Sequence, residues 1–560
     1  MPARNWLSYL RPHPGTETPA VLRLAVAAVS GAALSFSFTG FYLAIYAYIC
    51  VGVLMVVVFH ARPPVAFACG FVHAAFFVVT SVPWIATVLA VHGGLSLAGG
   101  WGVLLLIAAA WGVLVGAFTL CVHRLSHRRL ELACIGAPFL WVTFEFARAH
   151  LPEISFPWNL LGYSAAANPA LLQITTVTGI YGLSFLVAAF NSLLAWTDVA
   201  AKPAPRRRLL VYGASVAALL AVMLAAPRFL PAADAHHTAR GVQLNLPESV
   251  SYESNWFQTH TKELDSITSL SLAPEHQATT QAPSQAPDLL IWPEAPAPFS
   301  PQDPQFAKLA SSIAQRFGHP FLAGVIEWRA PESHSAETGR APRNVPIPYN
   351  SAILLDAHGQ TRFVYDKIHL VPFGEYEPFP LIHHVVSSVS DEVGGFSKGA
   401  PTYAVGKLPN GDPFGVFICY EAIYGGEVRR FAAHGAELLI NISNDGWFGR
   451  SAAPVQHLHM ARVRAVENRR WLLRVTNNGF TVAVDPYGRT FHPLPPDVRA
   501  AADLPYDFRA DLTIYTRYGD WFAWLCVIVS VILVASTFWK GNLLHDQLPI
   551  PVAEARQPAV

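Results

Sequence analysis

Charge is what this chain of 560 residues has least of. Only 13% of its residues are Asp, Glu, Lys or Arg, against 52% hydrophobic, and the mean hydropathy is +0.34. A wholly water-soluble protein carries roughly twice that charged fraction, so the composition points to lipid. The 38 basic and 37 acidic residues nearly cancel, and no long basic run stands out, which leaves no footing for nucleic-acid binding. Cysteine is scarce as well. Of six, Cys50, Cys69, Cys121, Cys134 and Cys526 fall in apolar runs, and Cys419 is the only thiol in the long polar region, so a disulfide framework there is excluded. No Gly-rich phosphate loop follows a strand-like run. The 22 histidines, among them His383-His384 and His457-x-His459, have no matching Cys or carboxylate set at ligand spacing, so neither a metal nor a cofactor is expected.

Long apolar spans are abundant. They lie near 24–38, 41–59, 64–91, 101–122, 131–149, 171–196 and 209–226, with a last one near 521–539. Each is long enough, or nearly so, to cross a hydrocarbon core of about 30 Å. The first follows Arg4, Arg11 and Arg23 but ends in no clear small-residue cleavage site, so it is read as a retained helix. Arg62, the cluster 123–129, the stretch 202–208 and Lys540 fall in alternate loops, the pattern of cytoplasmic loops. Eight spans then put both termini inside and the polar region outside. The expected division is a membrane domain of seven helices at 1–229, an outer catalytic domain at 230–515, and a C-terminal helix with a cytoplasmic tail at 516–560.

The outer region alternates strand-like runs, at 288–292, 321–327, 350–355, 361–366, 414–418, 437–442, 471–476 and 480–484, with helical patterns at 304–317, 425–434 and 455–469. That alternation indicates an α/β domain. Three of the runs end in reactive groups. DLLIW (288–292) leads into Pro293-Glu294, and FVYDK (363–367) ends on Lys367 before IHLVPFGEY (368–376). PFGVFICYEAIYGGE (413–427) carries Cys419 where its apolar run turns polar. A lone Cys in an apolar run is ordinarily an inert core residue. An unpaired thiol facing an oxidising compartment, however, is a liability that structure alone does not require. Carboxylate, ammonium and thiol at strand ends are what thiol acyl transfer needs: Glu294 as general base, Lys367 on the oxyanion, Cys419 as nucleophile.

In that order, and together with FPWNLLGYS (156–164), NISNDGWFG (441–449) and MARVRAVENRR (460–470), these motifs resemble the apolipoprotein N-acyltransferase branch of the nitrilase, or carbon-nitrogen hydrolase, superfamily over nearly the whole chain. The resemblance implies an integral membrane α-helical bundle of about eight transmembrane helices plus an α/β nitrilase-like αββα sandwich, in the inner membrane with its catalytic domain in the periplasm. It implies transfer of a fatty acyl chain from a membrane phospholipid to the N-terminal α-amine of S-diacylglyceryl-cysteine in an apolipoprotein, through a Cys419 thioester. Glu375 and Glu421 match supporting carboxylates that orient Lys367 and the substrates, and Tyr420 is expected to line the acyl pocket. Trp447 and Phe448, or a lid within 373–399, are candidates for touching lipid. An aromatic residue after the first strand, 241–247, belongs near the site, and Tyr252 and Trp256 both remain open. Loop 152–168, which contains FPWNLLGYS, is expected under the catalytic domain, although its aromatics also suit an interfacial belt. Glu145 and Arg148, at i and i+3, are a candidate pair with no assigned chemistry. The stretches 272–287 and 329–346 have the composition of surface insertions. A tethered amidase needs fewer spans than these, and a transporter or sensor would show paired charges along a pathway.

Overall fold

The apolar spans fold as helices, though not all at the expected lengths. The computed structural model describes residues 18–39, 41–151, 155–199, 205–247, 255–273, 286–330, 346–372, 374–376 and 395–538. Among these, Ala20–Phe38, Pro63–Ser81, Leu97–Ser126, Leu130–Ala149, Ile180–Thr197 and Leu210–Phe229 are long and apolar enough to cross a membrane. The expected spans at 41–59 and 521–539 correspond to the shorter apolar helices Leu43–Phe59 and Trp521–Ser536. The expected span 64–91 is interrupted. Helix Pro63–Ser81 ends before Pro83, which has no N–H to continue the ladder, and a new helix runs Trp84–Val91. The expected span 171–196 begins late: Gly179, at φ +63°, separates the turn Thr175–Thr178 from helix Ile180–Val199.

Among the described residues, the α/β region holds two six-stranded sheets. The first comprises β1 (His237–Gln243), β2 (Leu289–Ile291), β3 (Phe321–Arg329), β4 (Ile347–Leu355), β5 (Thr361–Asp366) and β12 (Ala500–Tyr506), in the order β12-β1-β2-β3-β4-β5. The second comprises β6 (Val405–Lys407), β7 (Pro413–Ile418), β8 (Leu438–Ser443), β9 (Trp471–Thr476), β10 (Thr481–Val484) and β11 (Thr490–Leu494), in the order β11-β10-β9-β8-β7-β6. Pairing is parallel at the centres, β1-β2-β3 and β7-β8-β9, and antiparallel elsewhere. β1 begins earlier than the expected 241–247, because His237 onward pairs with β12, an edge strand whose Ala run, Asp503 and Pro505 are residues strands usually avoid, so it does not stand out in the sequence.

Residues alternating along the first sheet divide between two cores. Leu290, Trp292, Ala323 and Ile353 pack with Phe306 and Ile313 of helix Pro304–Phe317 and Ile267 of helix Thr261–Leu272. Leu289, Ile291, Ala352 and Leu354 join the core shared with the second sheet, whose other face is covered by helices Gly425–Ala433 and Ala453–Asn468. The layers therefore run helix, sheet, sheet, helix. The second core continues through Trp158 and Leu161 into the membrane helices, so one helix layer of the sandwich rests on the bundle. Trp256 belongs to the far core, stacked on His260 at 4.5 Å and edge-on to Phe299 at 5.7 Å, on the outer side of the first sheet. Tyr252, His383-His384 and most of 272–287, 329–346 and 373–399 lie outside the described residues.

Candidate active site

Three strands of the two facing sheets end at one place. After β2, Trp292 and Pro293 lead to Glu294, whose neighbours lie so close to β3 that a Cβ on Gly324 would sit 2.2 Å from the Pro293 carbonyl oxygen. Only glycine permits that approach. After β5, Lys367 N–H donates to Asn350 O at 2.8 Å. After β7, Cys419 opens the 3-10 turn Cys419–Ile423 at φ +50°, a left-handed conformation that ordinary residues avoid. All three side chains are buried, Lys367 to 1% exposure.

Lys367 Nζ lies 2.9 Å from Glu294 Oε1 and 2.9 Å from Glu375 Oε1. Asn350 Nδ2 donates to the same two oxygens, at 2.8 and 2.7 Å. The remaining carboxylate oxygens accept backbone N–H groups, Glu294 Oε2 from Asn444 at 2.9 Å and Glu375 Oε2 from Val371 at 2.8 Å. Burial alone would favour a neutral Lys367, but the charges of Glu294 and Glu375, with Cys419 in support, hold its pKa well above the ordinary range. The ammonium has three N–H groups, of which two are spent on carboxylates, leaving one for a developing oxyanion. Cys419 is shifted the other way in reactivity. Burial pushes its thiol pKa up, the Glu294 charge adds to this, and Lys367 only partly opposes it. A raised pKa favours the thiol over the thiolate, and Glu294, whose charge acts on Cys419, is held in place by its contacts to Lys367, Asn350 and Asn444.

Glu375 thus orients Lys367 directly. Glu421 does so through the backbone: its Oε1 accepts from Ile368 N at 2.7 Å, His369 N at 3.0 Å and Tyr365 OH at 2.9 Å, and its Oε2 accepts from Ile418 N at 2.6 Å. It ties the loop after Lys367 to the end of β7. Burial lifts its pKa to about 7 against the pull of those donors. Tyr420 is buried, with its ring stacked 6.3 Å from Phe156 of the membrane-domain loop and its hydroxyl accepting from Tyr424 OH at 3.2 Å.

Trp447 and Phe448 pack against the membrane domain's own side chains: Trp447 edge-on to His92 at 4.6 Å, Phe448 edge-on to Trp84 at 4.9 Å. Trp158 is fully buried and donates to Gln456 Oε1 at 2.7 Å, so it fastens the loop beneath the sandwich and does not sit in an interfacial belt. Glu145 and Arg148 reach into the same loop. Glu145 Oε1 accepts from Leu161 N at 2.6 Å, and Arg148 Nη2 donates to Trp158 O at 3.1 Å with its guanidinium 3.7 Å over the Trp111 ring. Sequence reasoning missed Asn350, Tyr365, and the buried group of His457, Asp445 and Arg474. Asp445 lies inside the quoted NISNDGWFG motif, and a buried-polar reading of that motif was the available signal.

Residues 30–193 match the family described as apolipoprotein N-acyltransferase N-terminal domain, and 249–504 match carbon-nitrogen hydrolase. The chain is 32% identical to an apolipoprotein N-acyltransferase of Geobacter metallireducens over 93% of this chain and 96% of that protein. It is 31% identical to one of Rhodopseudomonas palustris over 76% and 77%. Among solved structures, an amidase from Nesterenkonia sp. covers 52% of this chain and 95% of its own at 18% identity and a TM-score of 0.34.

Proposed function

The chain belongs to the apolipoprotein N-acyltransferase family, and on that premise we propose that Glu294, Lys367 and Cys419 carry out lipoprotein N-acylation by a two-step exchange. In the first step the Cys419 proton passes to Glu294 as the sulfur bonds to the ester carbonyl carbon of a phospholipid. The displaced electron pair rests on the carbonyl oxygen, opposite the unspent Lys367 N–H. Collapse breaks the C–O bond, the glycerol oxygen takes the proton from Glu294, and lysophospholipid leaves. In the second step the α-amine of an S-diacylglyceryl-cysteine attacks the thioester carbonyl, gives a proton to Glu294, and expels the Cys419 sulfur, which recovers that proton. An α-amine has a pKa of about 8, so near neutrality it first gives its ammonium proton to water, and Glu294 then carries only the proton lost in the attack. No cofactor or metal enters. Burial keeps water from the thioester, without which the product would be free fatty acid.

The observation that carries this reading is the buried Lys367 ammonium shared by two carboxylates beside a thiol at a left-handed strand end. The packing of Phe156 on Tyr420 supports an acyl path from the bilayer side. The basic cluster at the far end of the bundle supports an outward-facing catalytic domain.

Purified protein given a phospholipid with a labelled acyl chain, and no acceptor, is expected to become labelled, with release by neutral hydroxylamine and no label on Cys419→Ala. A diacylated lipopeptide should then collect the label and its N-acetylated form should not. Label that survives the loss of Cys419, or moves to water as fast as to the amine, overturns the mechanism.

A further inference from the structure

One buried histidine lies against the nucleophile and takes no part in the exchange of protons above. His457, on helix Ala453–Asn468, places Nε2 3.0 Å from the Cys419 carbonyl oxygen. A carbonyl oxygen only accepts, so Nε2 bears a hydrogen. Nδ1 lies 3.0 Å from Asp445 Oδ1 and 3.1 Å from Arg474 Nη2. A neutral ring would accept from Arg474 there, and a charged one would donate to Asp445. In either form Nε2–H stays on the Cys419 carbonyl.

The ring is itself held firmly. Asp445 receives Arg474 Nη2 at 2.7 and 3.0 Å and Ser443 Oγ at 2.8 Å, and Arg474 Nη1 also bonds Asn441, which ties the group to β8 and β9. On the same helical turn Gln456 takes the Trp158 indole N–H at 2.7 Å and donates to Ser81 O at 3.0 Å. One turn of helix therefore grips the membrane domain with one residue and the nucleophile's peptide with the next. Cys419 needs that grip. Its φ of +50° is a conformation that persists only where surrounding bonds over-determine it. Glu421 holds the Ile418 N–H on one side, and His457 holds the Cys419 carbonyl on the other.

We propose that His457 is a positioning residue: its Nε2–H, donated to the Cys419 carbonyl, fixes the left-handed peptide so that the sulfur stays beside Glu294 and Lys367. This rests on Cys419 being the acylated group. The test compares His457→Gln, His457→Asn and His457→Leu with Cys419→Ala in full-length protein, measuring acyl-enzyme formation from labelled phospholipid, iodoacetamide alkylation of Cys419 and melting temperature. A glutamine amide nitrogen reaches the place of Nε2 and still donates to the carbonyl, whereas asparagine reproduces only the side facing Asp445 and Arg474. His457→Asn and His457→Leu should lose at least about tenfold in the rate of acylation, the effect of one lost buried hydrogen bond, with phospholipid KM unchanged. His457→Gln should recover most of that loss, and alkylation should follow the same order. Equal rates for Gln and Asn, or rates that merely track melting temperature, would overturn the proposal. Should His457→Leu fail to fold, the Gln and Asn pair still decides. Label on Cys419→Ala would instead remove the acyl-enzyme reading itself, and this inference with it.

Discussion

A lysine with 1% exposure keeps its charge only because two carboxylates face it, and that arrangement sets the behaviour of the neighbouring thiol. Cys419 has its pKa raised by burial first and by Glu294 second. The sign follows directly: a raised thiol pKa means less thiolate at any given pH, so reaction with a neutral alkylating agent should keep climbing as pH rises. An ordinary thiol levels off above about pH 8.5. Iodoacetamide modification of Cys419 in the folded protein is expected to increase steadily through pH 9 with no plateau, and a plateau near neutrality would show a preformed thiolate and remove the need for a base. Glu294→Gln keeps size and removes the carboxylate proposed as the base. It should leave the protein folded and lower acyl-enzyme formation by about a hundredfold or more. Normal folding with near-full acylation would cost Glu294 its role.

At the scale of elements, β2, β5 and β7 were legible because each holds a short apolar run, LLI, FVY or FGVFI, after which the sequence turns polar. The run ends were also where Glu294, Lys367 and Cys419 appeared. Their helpers were not legible, for physical reasons. Asn350 lies inside β4, where a polar residue in a strand ordinarily reads as the solvent side, yet it bridges Glu294 and Glu375. Helix Ala453–Asn468 is buried nearly all round, with His457, Arg464, Glu467 and Asn468 beside Met460, Val463 and Val466, so hydrophobic periodicity does not mark which of its polar residues face inward. His457 was noticed only as half of a His-x-His pair and set aside with the metal question. The break at Gly179 has a similar origin, since the Tyr515 ring that occupies its Cβ position is distant in sequence. Gly324 carries the element-scale prediction. Alanine there would meet the backbone at 293–295, and the cheapest relief is to move Glu294. A displacement of about 1 Å in a reacting group costs roughly a hundredfold. Gly324→Ala should therefore fold with most of its stability and lose at least that much acylation rate, and a variant with unchanged rate would show that the 293–295 turn tolerates the shift.

The whole molecule has two chemically different ends. Helix Leu130–Ala149, of 20 residues, is about 30 Å long, which is the thickness of a hydrocarbon core. Beyond its C-terminus the 155–164 loop is buttoned to the sandwich by Trp158 and Gln456. Before its N-terminus lie Arg124 and Arg128, bonded to Thr537 at the end of the last apolar helix, and His123, bonded to Val58 O at 3.1 Å. Arg23 reaches the carbonyls of Val57 and His60 in the same region. These basic residues lie at the end of the bundle away from the α/β domain, which is the cytoplasmic end under the proposed topology. An acyl donor in the outer leaflet and an acceptor anchored by its own lipid would both meet the site from the sandwich side. The test uses two exposed positions at opposite ends: Lys262, on the outer helix Thr261–Leu272, and His127, in the basic turn. In spheroplasts, a membrane-impermeant maleimide should modify Lys262→Cys at once and His127→Cys only after the membrane is permeabilised, with the unsubstituted chain as the blank. The reverse order would put the α/β domain inside the cell, where the proposed substrates would not reach it, and the mechanism would fail together with the topology.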